Sequence, residues 1–554
     1  MSTGSLAAPW PGSRIAGAIV DTARGIDPET RSRFGPIVLV ALLSALWLLI
    51  GPRTADFAAQ AYHSNFFTQH GFALWDNHWF DGHLFPGYSL LFPPLGSVFG
   101  PRLVGVAAVL SSTYAFNSLV RGRWGARSST AAYWFAAAAV GDLYIGRVTF
   151  ALGFAFGLLA VLALTRRHPV LTVLLAALCA AASPVAGLFL GFVGVLGWSV
   201  LGPGRVALLA LPALGMAGMM GVVFGDGGAQ PFDLAAAIVD TLLIVLVVIC
   251  MDDGPKVVRR GAVLYACVIP LCFIVPSPMG SNIARLGVLL AGPLMLLSTR
   301  NARRPLVLVT CAGLAIWQLW GPVTEVAKTF DNPSTSAAYF APLISYLDRA
   351  GAASGRVEVV PTATRWESVY VAAHFDLARG WETQLDARYN ALFYTGRLTA
   401  QSYRQWLLAN GVRFVALPDV VLERWGEREL KLLSNPPSYL RLAWHNAHWR
   451  VFAVEGSEPL VSGPGHLMRM TTAGVAIRAV APGTILVHVH YTRFLHATGP
   501  ACLSPSAGPE GWTVVNANAP GEIDIKAKWS LSAALGTPAA CTARPAGPGG
   551  STGN

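Results

Sequence analysis

The distribution of apolar residues divides the chain into a membrane-like part and a part of mixed character. Eleven apolar stretches fill the first 322 residues, beginning with PIVLVALLSALWLLIG at 36–51. The others lie near 102–120, 129–146, 148–165, 169–183, 184–203, 205–224, 233–251, 261–276, 281–298 and 305–322. Such runs are typical of membrane-spanning helices. The pattern therefore predicts an α-helical polytopic membrane bundle of about eleven helices over 35–322, with an outer loop at 52–100.

The pattern changes after residue 322. Residues 323–455 mix amphipathic helical stretches, such as YFAPLISYLDRA, with short β-branched runs, such as VRFVALP, and predict an α/β region. Residues 456–545 alternate as strands do, for example in GTILVHVHYTRF, and predict a β-sandwich-like module. Residues 546–554 end the Gly- and Pro-rich segment ARPAGPGGSTGN and predict a disordered tail.

Composition supports a membrane location and argues against nucleic acid as a partner. The chain is 53% hydrophobic and 12% charged, against roughly 25% charged residues in soluble domains. The net charge of +11 is carried by short Lys and Arg clusters between apolar runs. Nucleic-acid binding requires a basic stripe or patch instead. We therefore expect membrane lipid as the surroundings of the chain and no nucleic-acid partner.

The positions of the basic residues predict the orientation of the bundle. We expect residues 1–34 to form a cytoplasmic tail, without a cleavable signal peptide, and 323–554 to lie outside the cell membrane. The cytoplasmic side then receives Arg14, Arg24, Arg31, Arg33, Arg121, Arg123, Arg127, Arg166, Arg167, Arg205, Lys256, Arg259, Arg260, Arg300, Arg303 and Arg304. The opposite side receives Arg53, Arg102, Arg147 and Arg285.

The first outer loop combines aromatic and titratable residues in unusual density. Three aspartates and four histidines, together with Trp75, occur in it: Asp56, Asp76, Asp81, His63, His70, His78 and His83. Amphipathic rings settle at membrane–water interfaces, so the loop could simply cover the bundle. The alternative is a substrate site at the lipid boundary. Both interpretations stay open from the sequence.

Two arginines on the same side are candidate anion ligands. Arg147 lies in the short turn GDLYIGRVTFALG, and Arg285 lies at the start of a span in PSPMGSNIARLG. An Arg at the end of a span can snorkel to lipid headgroups. An Arg that is retained on the outer side, against the positive-inside bias, also suggests an anionic partner. A guanidinium group fits a phosphate well.

The order of these features resembles a known superfamily. An Asp just beyond the first span, an aromatic loop with WDNHWFDG and YSLLFPPL, many spans and an exported C-terminal region resemble GT-C membrane glycosyltransferases, which use polyprenyl-phosphate sugars. The chain is more closely similar to actinobacterial membrane proteins labelled 6-pyruvoyl-tetrahydropterin synthase-related, a label that does not imply pterin chemistry. The resemblance extends to RGWETQLDARYNALFY and the strand-rich end.

The resemblance implies roles for particular residues. Asp56 occupies the place of the catalytic base, Arg147 and Arg285 would bind the donor phosphate, and Asp76 or Asp81 are alternatives to Asp56. Relatives often carry paired acidic residues where this chain has a single one between Ala55 and Phe57. Candidate sugar or acceptor ligands are His63, Trp75, His78, Trp381, Glu382 and Gln384. No metal ligands are predicted, although a divalent cation such as Mg or Mn stays open as a cofactor.

Two exported features have structural alternatives. The segment ARGWETQLD, which holds Trp381, Glu382, Gln384 and Asp386, could bind a sugar or form a structural turn. Cys502 and Cys541 are an isolated pair in the exported module and predict a disulfide.

The predicted function is transfer of a sugar from a polyprenyl-phosphate donor to a cell-envelope glycan or glycoconjugate at the plasma membrane. The alternatives are a transporter or flippase of lipid-linked sugars and a non-catalytic envelope assembly protein. No internal repeat typical of transporters is visible. The absence of P-loop, G-x-S-x-G and H-E-x-x-H patterns gives no support to ATP-driven, serine-hydrolase or zinc chemistry.

Overall fold

The computed structural model describes residues 28–508 and 510–536. Within these ranges, seven helices are long and apolar enough to cross a membrane, by length and composition, and a sheet-containing region follows them. The coarse prediction of a part built from apolar helices followed by a sheet-containing part is therefore confirmed. Most of the predicted tail at 1–34, the tail at 546–554 and Cys541 lie outside the described residues.

The membrane part is built from helices with short connections. In chain order the helices are α1 (Pro28–Ile50), α2 (Ala55–His70), α3 (Phe92–Phe99), α4 (Pro101–Val120), α5 (Ala126–Ile145), α6 (Val148–Thr165), α7 (Pro169–Ala182), α8 (Pro184–Leu196), α9 (Trp198–Leu201), α10 (Pro203–Val223), α11 (Leu234–Cys250), α12 (Lys256–Ile274), α13 (Ala284–Leu297) and α14 (Pro305–Ala327). Six of them begin with Pro, whose missing N–H would have no helical partner at that position.

A helix occupies each of the eleven predicted span positions within the described residues. The seven candidate spans lie in α1, α4, α6, α10, α12, α13 with the 3₁₀ turn Gly280–Ile283 before it, and α14. Helix α5 and the shorter apolar helices α7, α8 and α11 occupy the other four positions. That all eleven cross the membrane stays a prediction.

The outer loop is hydrogen-bonded to the end of a short helix, α7, which is followed by the equally short α8. Helices α7 and α8 have 14 and 13 residues, which is about 21 Å or less at 1.5 Å per residue, whereas the hydrocarbon core is about 30 Å thick. The carbonyl oxygens at the end of α7 are reached by the loop: the Leu90 and Leu91 amides donate to Ala181, and the Ser89 hydroxyl donates to Ala182 at 2.8 Å. These bonds fix the segment 85–92 over the bundle.

An α/β region follows the last span. Its helices are α15 (Ala337–Arg349), α16 (Glu367–Tyr370), α17 (Thr383–Tyr389), α18 (Ala391–Tyr394), α19 (Ala400–Ala409) and α20 (Glu427–Ser434). The outer loop has already supplied the small hairpin β1 (Trp75–Asp76) and β2 (His83–Leu84), and the α/β region adds β3 (Arg356–Val359), β4 (Val412–Pro418), β5 (Leu440–His445) and β6 (Trp449–Val454). The sheet order is β3-β4-β6-β5, in which only β3 and β4 are parallel.

The remaining strands form two four-stranded sheets. They are β7 (Val461–Ser462), β8 (Gly465–Thr471), β9 (Gly474–Ala479), β10 (Gly483–His490), β11 (Leu495–Thr498), β12 (Ala501–Pro505), β13 (Trp512–Ala517) and β14 (Gly521–Ala527), followed by helix α21 (Leu531–Ala534). The orders are β12-β13-β10-β7 and β11-β14-β9-β8. Alternate residues such as Ile477, Ile485 and Ile523 are buried in one shared core.

The outer loop is wedged between the membrane helices and both sheet regions. Trp75 packs in the core of the eight-stranded module, and the Asn77 side chain donates to the Thr471 carbonyl at 2.8 Å. Asp81 forms a buried ion pair with Arg356 of β3, at 2.6 Å. The loop therefore belongs to the packed interior of the extramembrane part along much of its length.

Candidate functional site

Helix α2 presents a row of polar side chains on one face. Asp56, Gln60 and His63 follow the spacing i, i+4, i+7, which places them on the same side of a helix. The helix begins against the turn between α5 and α6, since the Thr54 hydroxyl donates to the Ile145 carbonyl at 2.8 Å. This contact fixes the position of Asp56 one turn into the loop, directly beyond α1.

The α5–α6 turn requires glycine and places Arg147 beside Asp56. Gly146 has a φ of 97°, and a Cβ there would lie 2.4 Å from the backbone nitrogen of Phe57. This close approach brings Arg147 Nε to 3.2 Å from Asp56 Oδ2. The two side chains are 30% and 23% exposed, so the pair is open to solvent and to ligands.

Arg285 is the second cation at this site. It interacts electrostatically with Asp56, Tyr88, Asp142 and Arg147, and its guanidinium lies over the ring of Phe150 at 5.3 Å. Its Nε is buried and has no hydrogen-bond partner among the described residues. The two guanidinium groups share these surroundings with the carboxyl groups of Asp56 and the buried Asp142, and the unpartnered Arg285 Nε is a donor from which an anion can accept.

Tyr88 completes the polar lining from the loop side. The Gln60 amide donates to the Tyr88 hydroxyl at 2.6 Å, and the Thr149 hydroxyl donates to the other end of the same amide. Burial raises the pKa of Tyr88, and the charge of Asp56 adds to the effect. The phenol therefore keeps its proton at neutral pH and is suited to donate to an anionic ligand.

The α/β region also contributes side chains to the site. Glu382, at the start of α17, places its carboxylate 3.4 Å from His63 Nε2, while His63 Nδ1 contacts the Ala59 carbonyl at 2.8 Å. The His63 ring stacks on Tyr88 with centroids 4.6 Å apart, and Trp381 meets Tyr88 edge to face at 6.5 Å. Aromatic faces beside a carboxylate suit the recognition of a sugar.

Two other aspartates of the loop lie in buried structural contacts. Asp76 accepts from the Tyr62 hydroxyl at 2.6 Å and from the His78 amide at 2.9 Å. Asp81 is held by Arg356. Both carboxylates are buried, whereas the Asp56 side chain is 23% exposed, so Asp56 is the accessible one of the three aspartates.

The other predicted ligands are not brought to this site. Trp75 is buried in the eight-stranded module, with its indole N–H donating to Asn77 at 2.7 Å. His78 contacts the Tyr62 hydroxyl at 3.2 Å instead. The Gln384 backbone lies against Gly228 in the loop between α10 and α11.

Asp386, in the segment ARGWETQLD, has a structural role. Arg379 donates to both of its oxygens, at 3.1 and 2.7 Å, and Asn390 and Tyr394 donate to it as well. Attraction to Arg379 lowers the pKa of the buried carboxyl despite desolvation. The contacts of Asp386 therefore agree with a structural turn, the second of the two interpretations of this segment.

Sequence reasoning missed Gln60, Tyr88 and Thr149 as members of the site. The helical spacing from Asp56 could have indicated Gln60, and Tyr88 lies in the quoted YSLLFPPL segment. Thr149 gave no local signal, because its role depends on the packing of α6 against α2.

The donor set of the site fits an anion better than a cation. No group of three or more His, Cys, Asp or Glu side chains arranged to hold a metal ion occurs in the described part of the chain. Asp56 is already paired with Arg147, and Arg285 adds a second positive charge. A phosphate at this place could accept hydrogen bonds from the guanidinium groups of Arg147 and Arg285.

The fold and the site together define a helical membrane-type protein with a sheet-containing extramembrane part and an arginine-lined acidic site between them. The chain matches no known protein-family model, and no curated protein is similar to it.

Proposed function

We propose that the chain is a membrane glycosyltransferase that moves a sugar from a polyprenyl-phosphate donor to a cell-envelope glycan or glycoconjugate. The observation that carries the proposal is the partly exposed Asp56 carboxylate paired with Arg147, with Arg285 beside it, directly after the first span. A general base and a phosphate-binding pair are the two groups that this transfer needs at one place.

The chemistry follows from these positions. Asp56 accepts the proton of an acceptor hydroxyl while that oxygen attacks the anomeric carbon of the donor sugar, with inversion. The bond from that carbon to the phosphate oxygen breaks, and polyprenyl phosphate leaves with the electron pair. Arg147, Arg285 and the Tyr88 hydroxyl stabilise the growing negative charge. An open ion pair contributes about 1 kcal/mol or less, so a phosphate can draw Arg147 away from Asp56.

The site would face the outside of the plasma membrane. Of the four arginines expected there, two have structural partners: Arg53 donates to the Thr335 carbonyl at 2.7 Å, and Arg102 donates to the Pro52 carbonyl at 3.1 Å. Arg147 has a partly exposed pair with Asp56 that a ligand can open, and Arg285 Nε has no hydrogen-bond partner among the described residues, so these two support the proposed phosphate site. Reporter fusions at positions 30, 255 and 340 test the orientation, and an enzyme active only in the cytoplasm at 340 would overturn it.

The proposed role of Asp56 is tested by Asp56→Asn. Asn keeps the shape of the side chain but cannot take the acceptor's proton, so transfer should fall by at least about a hundredfold. The matched control is Asp253→Asn, which opens a similar exposed ion pair, Asp253–Arg127 at 3.1 Å, away from the site. Transfer is measured with membranes, a polyprenyl-phosphate sugar and envelope acceptor, and by complementation of a deletion strain.

The alternatives give different outcomes in the same strains. A transferase variant should accumulate the polyprenyl-phosphate sugar and lack one residue type in an envelope glycan, as mass spectrometry would show. Normal glycans with Asp56→Asn would contradict the transferase proposal. If the chain is a transporter or flippase, its loss should leave lipid-linked sugar on the cytoplasmic side. If it is an assembly protein, its loss should leave donor levels unchanged.

A further inference from the structure

The end of the eight-stranded module contacts the end of a candidate membrane span. Phe224, the residue after α10, lies 5.8 Å from Trp529 and 6.5 Å from Phe494 between ring centroids. Arg493 donates to the last carbonyls of α10, those of Val222 and Val223, at 2.8 and 3.1 Å. Because α10 ends where apolar side chains give way to polar loop, these contacts place Trp529 at the level of the membrane interface.

Helix α21 then turns large apolar side chains away from the protein. Ala533 and Ala534 are buried, whereas Trp529, Leu531 and Leu535 are 53%, 68% and 76% exposed. Lys528 is exposed beside them. Indole, leucines and a neighbouring basic group are the mixture that interfacial segments use, with rings at headgroup level and aliphatic groups in the acyl region.

An apolar cavity lies directly behind this segment. Its volume is about 390 Å³, and its lining includes Phe72, Pro86, Leu90, Phe224, Ala527 and Trp529. Phe72 is exposed on the loop side, as Trp529 is on the module side. Hydrocarbon suits such a lining, whereas a polar ligand would lose its hydrogen bonds with water there.

We propose that Phe72, Trp529, Leu531 and Leu535 form a lipid-contacting face, by which the eight-stranded module rests in the membrane leaflet at the end of α10. The face is continuous with the exposed side of α10, where Val222 projects. The partner is therefore the lipid surface that surrounds the span. The proposal is independent of the proposed transferase activity, because it concerns how the module is held and not the chemistry at Asp56.

The opposite end of the same strands supplies a matched control. Residues Gly474 and Lys526 pair near the loop, whereas Ala479 and Gly521 pair at the other end of β9 and β14. Six residues of strand span about 20 Å, so Val480 lies about that far along the module. Val480 is also apolar and exposed.

The test uses the full chain in proteoliposomes with the photo-crosslinker p-benzoylphenylalanine in place of Leu531, Leu535 or Val480, one at a time. After irradiation, intact mass spectrometry should find phospholipid adducts on the variants labelled at 531 and 535. The variant labelled at 480 should carry none. Absence of adducts at both 531 and 535 would overturn the proposal. A crosslinked dimer of the chain at 531 and 535 without lipid adducts would also overturn it, and would assign the face to a second copy.

Discussion

Arg379 should be among the most important single side chains for the stability of the extramembrane part. It is buried among three carboxylates, at 2.7 Å from Asp386, 3.5 Å from Glu429 and 3.7 Å from Glu358. Arg379→Met keeps the aliphatic stem, including its position against the Phe393 ring, but removes the only one of these four side chains that carries positive charge. Breaking a buried ion pair costs about 3–5 kcal/mol because the partner is left uncompensated.

The size of the effect depends on which carboxylates are ionised. Burial raises the pKa of Glu358, and it raises the pKa of Glu429 to about 7. In the wild type at pH 8 Asp386 and Glu429 are mostly ionised, so Arg379→Met either leaves their charges uncompensated or forces them to take up protons that are scarce at this pH, and the full cost applies. At pH 6 Glu429 can hold a proton, so the variant should lose less stability there.

The assay is the temperature at which purified protein in detergent loses its monodisperse elution peak. A unit of 150–250 residues shifts by about 2–4 °C per kcal/mol, so the midpoint at pH 8 should fall by about 6–20 °C. Arg127→Met is the matched control, because its pair with Asp253 is 38% and 36% exposed and worth about 1 kcal/mol or less. Equal midpoints for the two variants would refute the reasoning, as would a larger loss at pH 6 than at pH 8.

Three further predictions concern the site, the pH dependence and the predicted disulfide. Gly146→Ala should move α2 away from the α5–α6 turn and lower transfer at least about tenfold, since the φ of 97° alone costs an L-residue about 1–2 kcal/mol; normal transfer would contradict the assigned geometry. Glu429 has a folded-state pKa above its usual 4.5, so its stabilising contribution is full below pH 4.5 and is lost as the pH rises through about 7. Glu429→Gln should therefore make the midpoint less sensitive to pH between 5 and 8, and parallel pH curves for wild type and variant would argue against this. For Cys502 and Cys541, non-reducing peptide mapping should find one linked peptide, worth roughly 3–4 kcal/mol for a loop of about forty residues, whereas two alkylatable thiols would exclude it.

Asp56 shows what a sequence can and cannot tell about a site. Its place just beyond the first span follows from the apolar run of α1, and Arg147 and Arg285 are recognisable because they go against the charge bias. Asp76 and Asp81 have the same local surroundings of aromatic residues and histidines. Their burial against Tyr62 and Arg356 separates them from Asp56, and burial cannot be read from a loop without periodicity.

The sequence by itself determined the division into apolar helices and a sheet-containing region. The reason is local: in lipid each backbone N–H must be satisfied within its own helix, so an apolar run is enough to specify a span, and alternation is enough to indicate a half-buried strand. Only the tertiary structure decided which polar side chains meet. Asp56 and Arg147 are 91 residues apart in the chain, and their contact depends on the close packing that Gly146 permits between α2 and the α5–α6 turn. The approach of Glu382 to His63 likewise depends on how the α/β region packs on the loop, and no local pattern encodes that distance.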